Sequence, residues 1–164
     1  MHYYSLGQIP RKRHTVFRQP NGNLYAEELF STEGFSNNYS LLYHVHPPTR
    51  VRAVGKGKDI SPKLSDRHNM QHRSYTTFSM KPHDDFLESR TPLLLNNDVV
   101  IGTIAPRKSM DYFFKNADGD ELLFIHEGSG KLKTAFGSLS FGYGDYLIIP
   151  RGIIYSLEFD NENN

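Results

Sequence analysis

The chain has 164 residues, 37% of them hydrophobic, a formal net charge of +1 and no cysteine. That length suits one domain with a real core, and so small a charge gives no bulk attraction to nucleic acid or anionic lipid. The absence of cysteine excludes disulfide scaffolds, zinc–cysteine sites and thiol nucleophiles and fits a cytoplasmic setting, while no run of about 18 apolar residues exists to cross a membrane.

Residues 1–23 are polar and turn-rich, with Pro10, Pro20 and Asn21-Gly22, and read as an irregular N-terminal arm. Within it, Arg11-Lys12-Arg13-His14 could touch an acidic partner or a phosphate, although charge runs usually face water. Residues 24–164 read as the folded domain. After NLYAEEL (23–29), the segment Ser40 to His46 has the alternation of a strand: Leu42 and His44 on one face, Leu41, Tyr43 and Val45 on the other, ended by Pro47-Pro48. Thr49 to Val54 is a further candidate strand, Gly55 to Gln71 reads as a mobile loop, and Ser74 to Met80 and Asp98 to Ala105 return to strand character. Met110 to Lys115 continues it, and Asp118-Gly119 is a preferred hairpin turn.

From Glu121 to Tyr155, apolar runs of strand length alternate with glycine punctuation at Gly128-Ser129-Gly130, Phe136-Gly137-Ser138, Gly142-Tyr143-Gly144-Asp145 and Pro150-Arg151-Gly152. Leu139 and Phe141 face opposite to Ser138 and Ser140, the period of a half-buried strand. Short strands, tight turns and no helical stripe predict an all-β antiparallel sandwich or barrel.

Signals for chemistry are weaker. His44 and His46 have the spacing of two ligands on one strand face, and His68 and His72 would share a face if their segment were helical, so a nitrogen-rich metal site is one reading and hydrogen-bonded surface histidines the duller one. Asp118, Asp120 and Glu121 resemble a piece of a calcium loop but lack the other ligands. Gly55-Lys56-Gly57-Lys58 lacks the phosphate-loop pattern, no Gly-x-Ser-x-Gly elbow is present, and adjacent Asp84-Asp85 would face opposite ways in a strand.

The spacing of Glu121, Gly128, Gly144-Asp145 and Pro150-Arg151-Gly152 is similar to that of the cupins, small double-sheet jelly rolls (double-stranded β-helices). Metal-binding cupins place His-x-His seven and five residues before that Glu and another His three residues after the Pro-x-Gly glycine; here the positions hold Phe114, Asn116 and Tyr155 beside Glu121. A phenyl ring cannot ligate, and Asn and Tyr replace imidazole poorly at a transition metal, so no metal, cofactor or catalytic residue is expected there. Phe114, Asn116, Glu121, His126 and Tyr155 are instead candidate contacts for a ligand in the barrel lumen.

A more specific resemblance runs through most of the chain in order. NLYAEEL at 23–29, Ser40-Leu41-Leu42-Tyr43 before Pro47, Asn116-Ala117-Asp118-Gly119-Asp120-Glu121-Leu122-Leu123, Gly130 to Phe136, and Tyr146-Leu147-Ile148-Ile149-Pro150-Arg151-Gly152 resemble the N-terminal half of homogentisate 1,2-dioxygenases. The resemblance implies the breakdown of tyrosine and phenylalanine, with non-haem Fe(II) and O2 opening the homogentisate ring to maleylacetoacetate. It also implies that the iron ligands and catalytic His belong to a C-terminal half expected to lie outside this sequence, and that the chain's partners are that catalytic half or neighbouring subunits of a homo-oligomer. The alternative is a stand-alone, metal-free cupin holding a small organic ligand; a small metalloenzyme built on His44 and His46 is a third reading.

Overall fold

In the computed structural model, residues 16–49, 51–62, 64 and 72–160 are described. They form ten β-strands and no helix, as the strand-length apolar runs predict: β1 (Ala26–Glu33), β2 (Ser36–His44), β3 (Thr91–Leu95), β4 (Val100–Thr103), β5 (Phe114–Lys115), β6 (Glu121–Phe124), β7 (Gly130–Thr134), β8 (Gly137–Phe141), β9 (Tyr146–Ile149) and β10 (Ile154–Phe159). They divide into two compact units that part between Ile60 and Ser61.

The first unit is built on the antiparallel β1–β2 ribbon, in which Ala26 faces His44 and Leu29 faces Leu41. The alternation read at 40–46 holds: Leu42 and His44 are half-buried and Leu41 and Tyr43 are exposed. The strand is longer than expected toward its N-terminus, because Gly34, with φ of 62°, closes a tight turn that lets pairing begin at Ser36. Residues 51–54 form no strand and are exposed, which corrects the expectation for Thr49 to Val54. Apolar β-branched residues there lack a neighbouring strand, and sheet structure needs pairing as well as composition.

The second unit holds the core. One sheet has the order β5-β10-β7-β8, and two-stranded sheets pair β6 with β9 and β3 with β4, all antiparallel. From β5 to β10 the pairs are nested around the β7–β8 turn: β7 with β8, β6 with β9, β5 with β10. Alternation then decides which side chains go inward. Leu132, Phe141, Tyr155 and Leu157 from the four-stranded sheet are buried, as are Glu121, Leu147 and Ile149 from the β6–β9 sheet. Met110 seals the outer edge of β10, its N–H donating to the Leu157 carbonyl at 2.9 Å.

Two expectations are corrected in this unit. Ser74 to Met80 is not a strand; residues 72–77 are irregular and a turn follows at 78–80. Asp118-Gly119 does sit in a turn, but the strands on either side of it do not form a hairpin, since β5 pairs with β10 and β6 with β9. The turn is held by its own side chain: Asn116 Oδ1 accepts from the N–H groups of Asp118 and Gly119 at 2.9 and 3.1 Å.

Gly130 opens β7 where the chain passes closest to β10. A Cβ there would stand 2.0 Å from the Glu158 carbonyl oxygen and 2.8 Å from Phe141 Cζ. Neither the paired backbone nor the buried Phe141 ring can retreat cheaply. Gly130→Ala is therefore expected to cost about 3 kcal/mol or more of stability, read as a lowered denaturant midpoint at unchanged slope, whereas Gly119→Ala, with open space at its Cβ position, shifts it little.

Candidate functional site

The resemblance to the cupin register singles out four positions, and the fold brings all four together. β5 supplies Phe114, the following turn Asn116, the first residue of β6 Glu121, and β10 Tyr155. Phe114 and Tyr155 are directly opposed in the β5–β10 pair, their rings edge to face at 5.8 Å. Glu121 points inward from the other sheet, so Tyr155 Oη reaches across and donates to Glu121 Oε2 at 2.5 Å. Tyr155 is fully buried and Glu121 is 9% exposed.

A fifth residue completes the cluster, and no sequence spacing pointed to it. Arg90 Nη1 donates to Glu121 Oε1 at 2.6 Å and Arg90 Nη2 donates to Tyr155 Oη at 2.9 Å. Asn116 Nδ2 adds a donor to Glu121 Oε1 at 3.2 Å. The guanidinium lies over the rings of Phe86 and Phe114, 4.9 and 5.4 Å from their centroids, where the electron-rich ring faces favour a cation. What aims Arg90 is a single tight turn: Asp85 Oδ1 accepts from the Glu88 N–H at 2.8 Å, and the Asp85 carbonyl accepts from the Ser89 N–H at 3.0 Å. Tyr112 pins the same Asp85 through its other carboxylate oxygen at 2.6 Å. Burial and that bond push the Tyr112 hydroxyl up to about 12.

The charges are mutually compensated. Burial alone would raise the Glu121 carboxyl, but the hydrogen bonds from Arg90 and Tyr155 and the adjacent positive charge outweigh it, and the group lies below the ordinary carboxylate value. Burial and the bond to Glu121 push the Tyr155 hydroxyl up. The cluster therefore holds a carboxylate, a guanidinium and a neutral phenol, and it has no acid or base poised near neutrality.

Iron does not fit these residues. Of the four positions only Glu121 carries a group that binds such an ion well, and both its oxygens already accept from Arg90, Tyr155 and Asn116. The carboxylate already has an organic counter-ion in Arg90. The histidine readings do not converge either. His44 Nε2 is bonded to Glu28 Oε2 at 2.8 Å, His46 lies past the end of β2 and is exposed, His72 is exposed, and His68 lies outside the described residues, as does the basic run 11–14. Asp120 accepts from the Arg151 N–H at 2.7 Å while Glu121 turns inward, so the calcium-like triplet splits. Among the described residues no group of three or more His, Asp or Glu side chains is arranged to hold a metal ion. His126 sits apart from the Glu121 cluster, exposed, with ring contacts to Phe78 at 4.8 Å, Tyr143 at 6.2 Å and Phe124 at 6.3 Å.

Two outcomes test the cluster. Arg90→Met should cost about 3 kcal/mol, because it strands a buried carboxylate, and adding Glu121→Leu should recover most of that loss; a double-mutant cycle in urea measures both. Because the folded-state value of Glu121 is depressed, its contribution is present above its unfolded value, near 4.5, and is lost as pH falls through the lower folded value. The melting temperature should thus drop on acidification below about pH 4.5, and the drop should be shallower in Glu121→Gln.

Comparison with known proteins gives these features a family. Residues 5–164 match the family model "Homogentisate 1,2-dioxygenase N-terminal". The "Putative dioxygenase" of Saccharolobus solfataricus is 38% identical over 159 residues, covering 96% of this chain and 41% of that protein. The homogentisate 1,2-dioxygenases of Dictyostelium discoideum and Bradyrhizobium diazoefficiens are each 26% identical, covering 94% of this chain and 39% and 38% of theirs. The chain thus spans about two fifths of the length of these curated relatives. Over nearly its whole length it belongs to the homogentisate 1,2-dioxygenase N-terminal family.

Proposed function

We propose that this chain is the N-terminal, non-catalytic portion of a ring-cleaving dioxygenase acting on homogentisate in tyrosine and phenylalanine breakdown, and that it serves as scaffold and assembly surface for iron chemistry done by other polypeptide. The observation that carries the reading is the Arg90 guanidinium bonded to Glu121 and Tyr155, which gives the one suitably placed carboxylate an organic counter-ion. The nested pairing of β5 to β10 supports a cupin-like jelly roll as the scaffold. Its partners on this reading are the catalytic half or neighbouring subunits. No helix among the described residues is long and apolar enough to cross a membrane, and a cytoplasmic location goes with the proposed pathway.

The competing idea of a lumen that holds an organic ligand gains little from the cluster. The polar head groups of Asn116, Glu121 and Tyr155 already bond to one another or to Arg90, so a ligand would have to break bonds before making its own.

Metal analysis and oxygen uptake on the purified 164-residue protein test the proposal. Iron well below one atom per chain and no homogentisate-dependent oxygen consumption are expected. Tightly held stoichiometric iron with turnover of homogentisate would overturn it.

A further inference from the structure

β6 and β9 present two unlike faces. Glu121, Leu147 and Ile149 go into the core. The opposite face carries Leu122 and Phe124 from β6, paired in register with Ile148 and Tyr146 from β9. These four are 61%, 47%, 69% and 64% exposed, and none is charged. Aromatic contacts extend the patch: Phe124 lies 4.8 Å from Tyr146 and 6.3 Å from His126, which in turn lies 4.8 Å from Phe78. A lone apolar side chain on a surface is ordinary, but a contiguous apolar and aromatic sheet face marks an interaction site. Missing charge together with enriched aromatics is the composition of a buried interface centre, and a rim would carry charge. A two-stranded sheet of four-residue strands also gains stability from being covered on both sides.

What covers it can be argued from the relatives. They carry about three fifths of their length outside the region this chain matches. We propose that the outer face of the β6–β9 sheet, centred on Leu122, Phe124, Tyr146 and Ile148 and extended by His126 and Phe78, is the surface on which the catalytic polypeptide of the dioxygenase packs. The inference rests on the functional reading above and adds to it a place on the molecule. The occupant is apolar over its centre, since a buried charge opposite these side chains would be left unpaired.

The test joins this chain to the catalytic polypeptide of a relative. The chain replaces the matched 159 residues of the Saccharolobus solfataricus protein, and Leu122→Lys/Ile148→Lys is made both in the joined protein and in the 164-residue chain alone. In the lone chain the exposed substitutions should move the melting temperature by no more than about 2 °C. In the joined protein they should lower it by roughly 8 °C or split one transition into two, as expected when charge is forced into a covered apolar contact. An unchanged melt in a joined protein that itself unfolds in one step would overturn the docking face and leave the functional reading standing. An equal loss in the lone chain would assign the face to the chain's own packing. A lone-chain dimer that the substitutions dissociate would assign it to a second copy, and either result overturns the proposal. A wild-type joined protein whose two parts melt independently would instead overturn the functional reading, and the docking face with it.

Discussion

A carboxylate inside a protein must be neutralised or it will not stay charged, and in this chain a guanidinium does it. Glu121 enters from one sheet, Tyr155 from the other, and Arg90 from a turn between strands that belong to neither pair. One short hydrogen bond, Tyr155 to Glu121 at 2.5 Å, joins the two sheets. Each of the three side chains bonds to both of the others, so removing one takes a partner from each of the remaining two, and losing the guanidinium leaves the Glu121 carboxylate without its counter-ion. The cluster therefore ties strand register to a specific polar contact: a one-residue slip of β6 would turn Glu121 out to water and send Leu122 inward.

The same alternation that buries Glu121 exposes Leu122 and Phe124, so the polar centre inside and the apolar face outside are two consequences of one register. On the inner face the Glu121 charge is paired with Arg90 and the aromatic rings pack edge to face, while Arg90 Nε is buried without a hydrogen-bond partner among the described residues. The outer face is apolar and open to solvent.

Much of this was legible in the sequence where the signal is local. Glycine punctuation from Gly128 to Gly152 marked β6 to β10, and the resemblance to the cupin register implied that residues 114, 116, 121 and 155 meet at one point, as they do because the strands that carry them are consecutive or paired. Arg90 was invisible to the same reasoning. It lies 31 residues before Glu121 and 65 before Tyr155, on a turn whose position depends on Asp85 meeting Tyr112. The available hint was Asp85 three residues before Glu88, a turn signature that says where the backbone bends and nothing about where Arg90 points. Strand β3 escaped because Pro92 argues against a ladder; it is tolerated beside Gly102, where the register shifts between Pro92 and Leu94. Residues 74–80 misled for the converse reason, since their apolar content finds no partner strand. Asp118-Gly119 marked a turn correctly, but the pairing of the strands beside it was decided by β9 and β10, more than twenty residues away in sequence.

The most direct test of the central claim is a crystal structure of the chain grown with excess Fe(II), with anomalous scattering measured at the iron edge. The account predicts guanidinium density within hydrogen-bonding distance of both Glu121 and Tyr155 and no anomalous peak beside them. An ordered iron on Glu121, with Arg90 swung away from it, would contradict it.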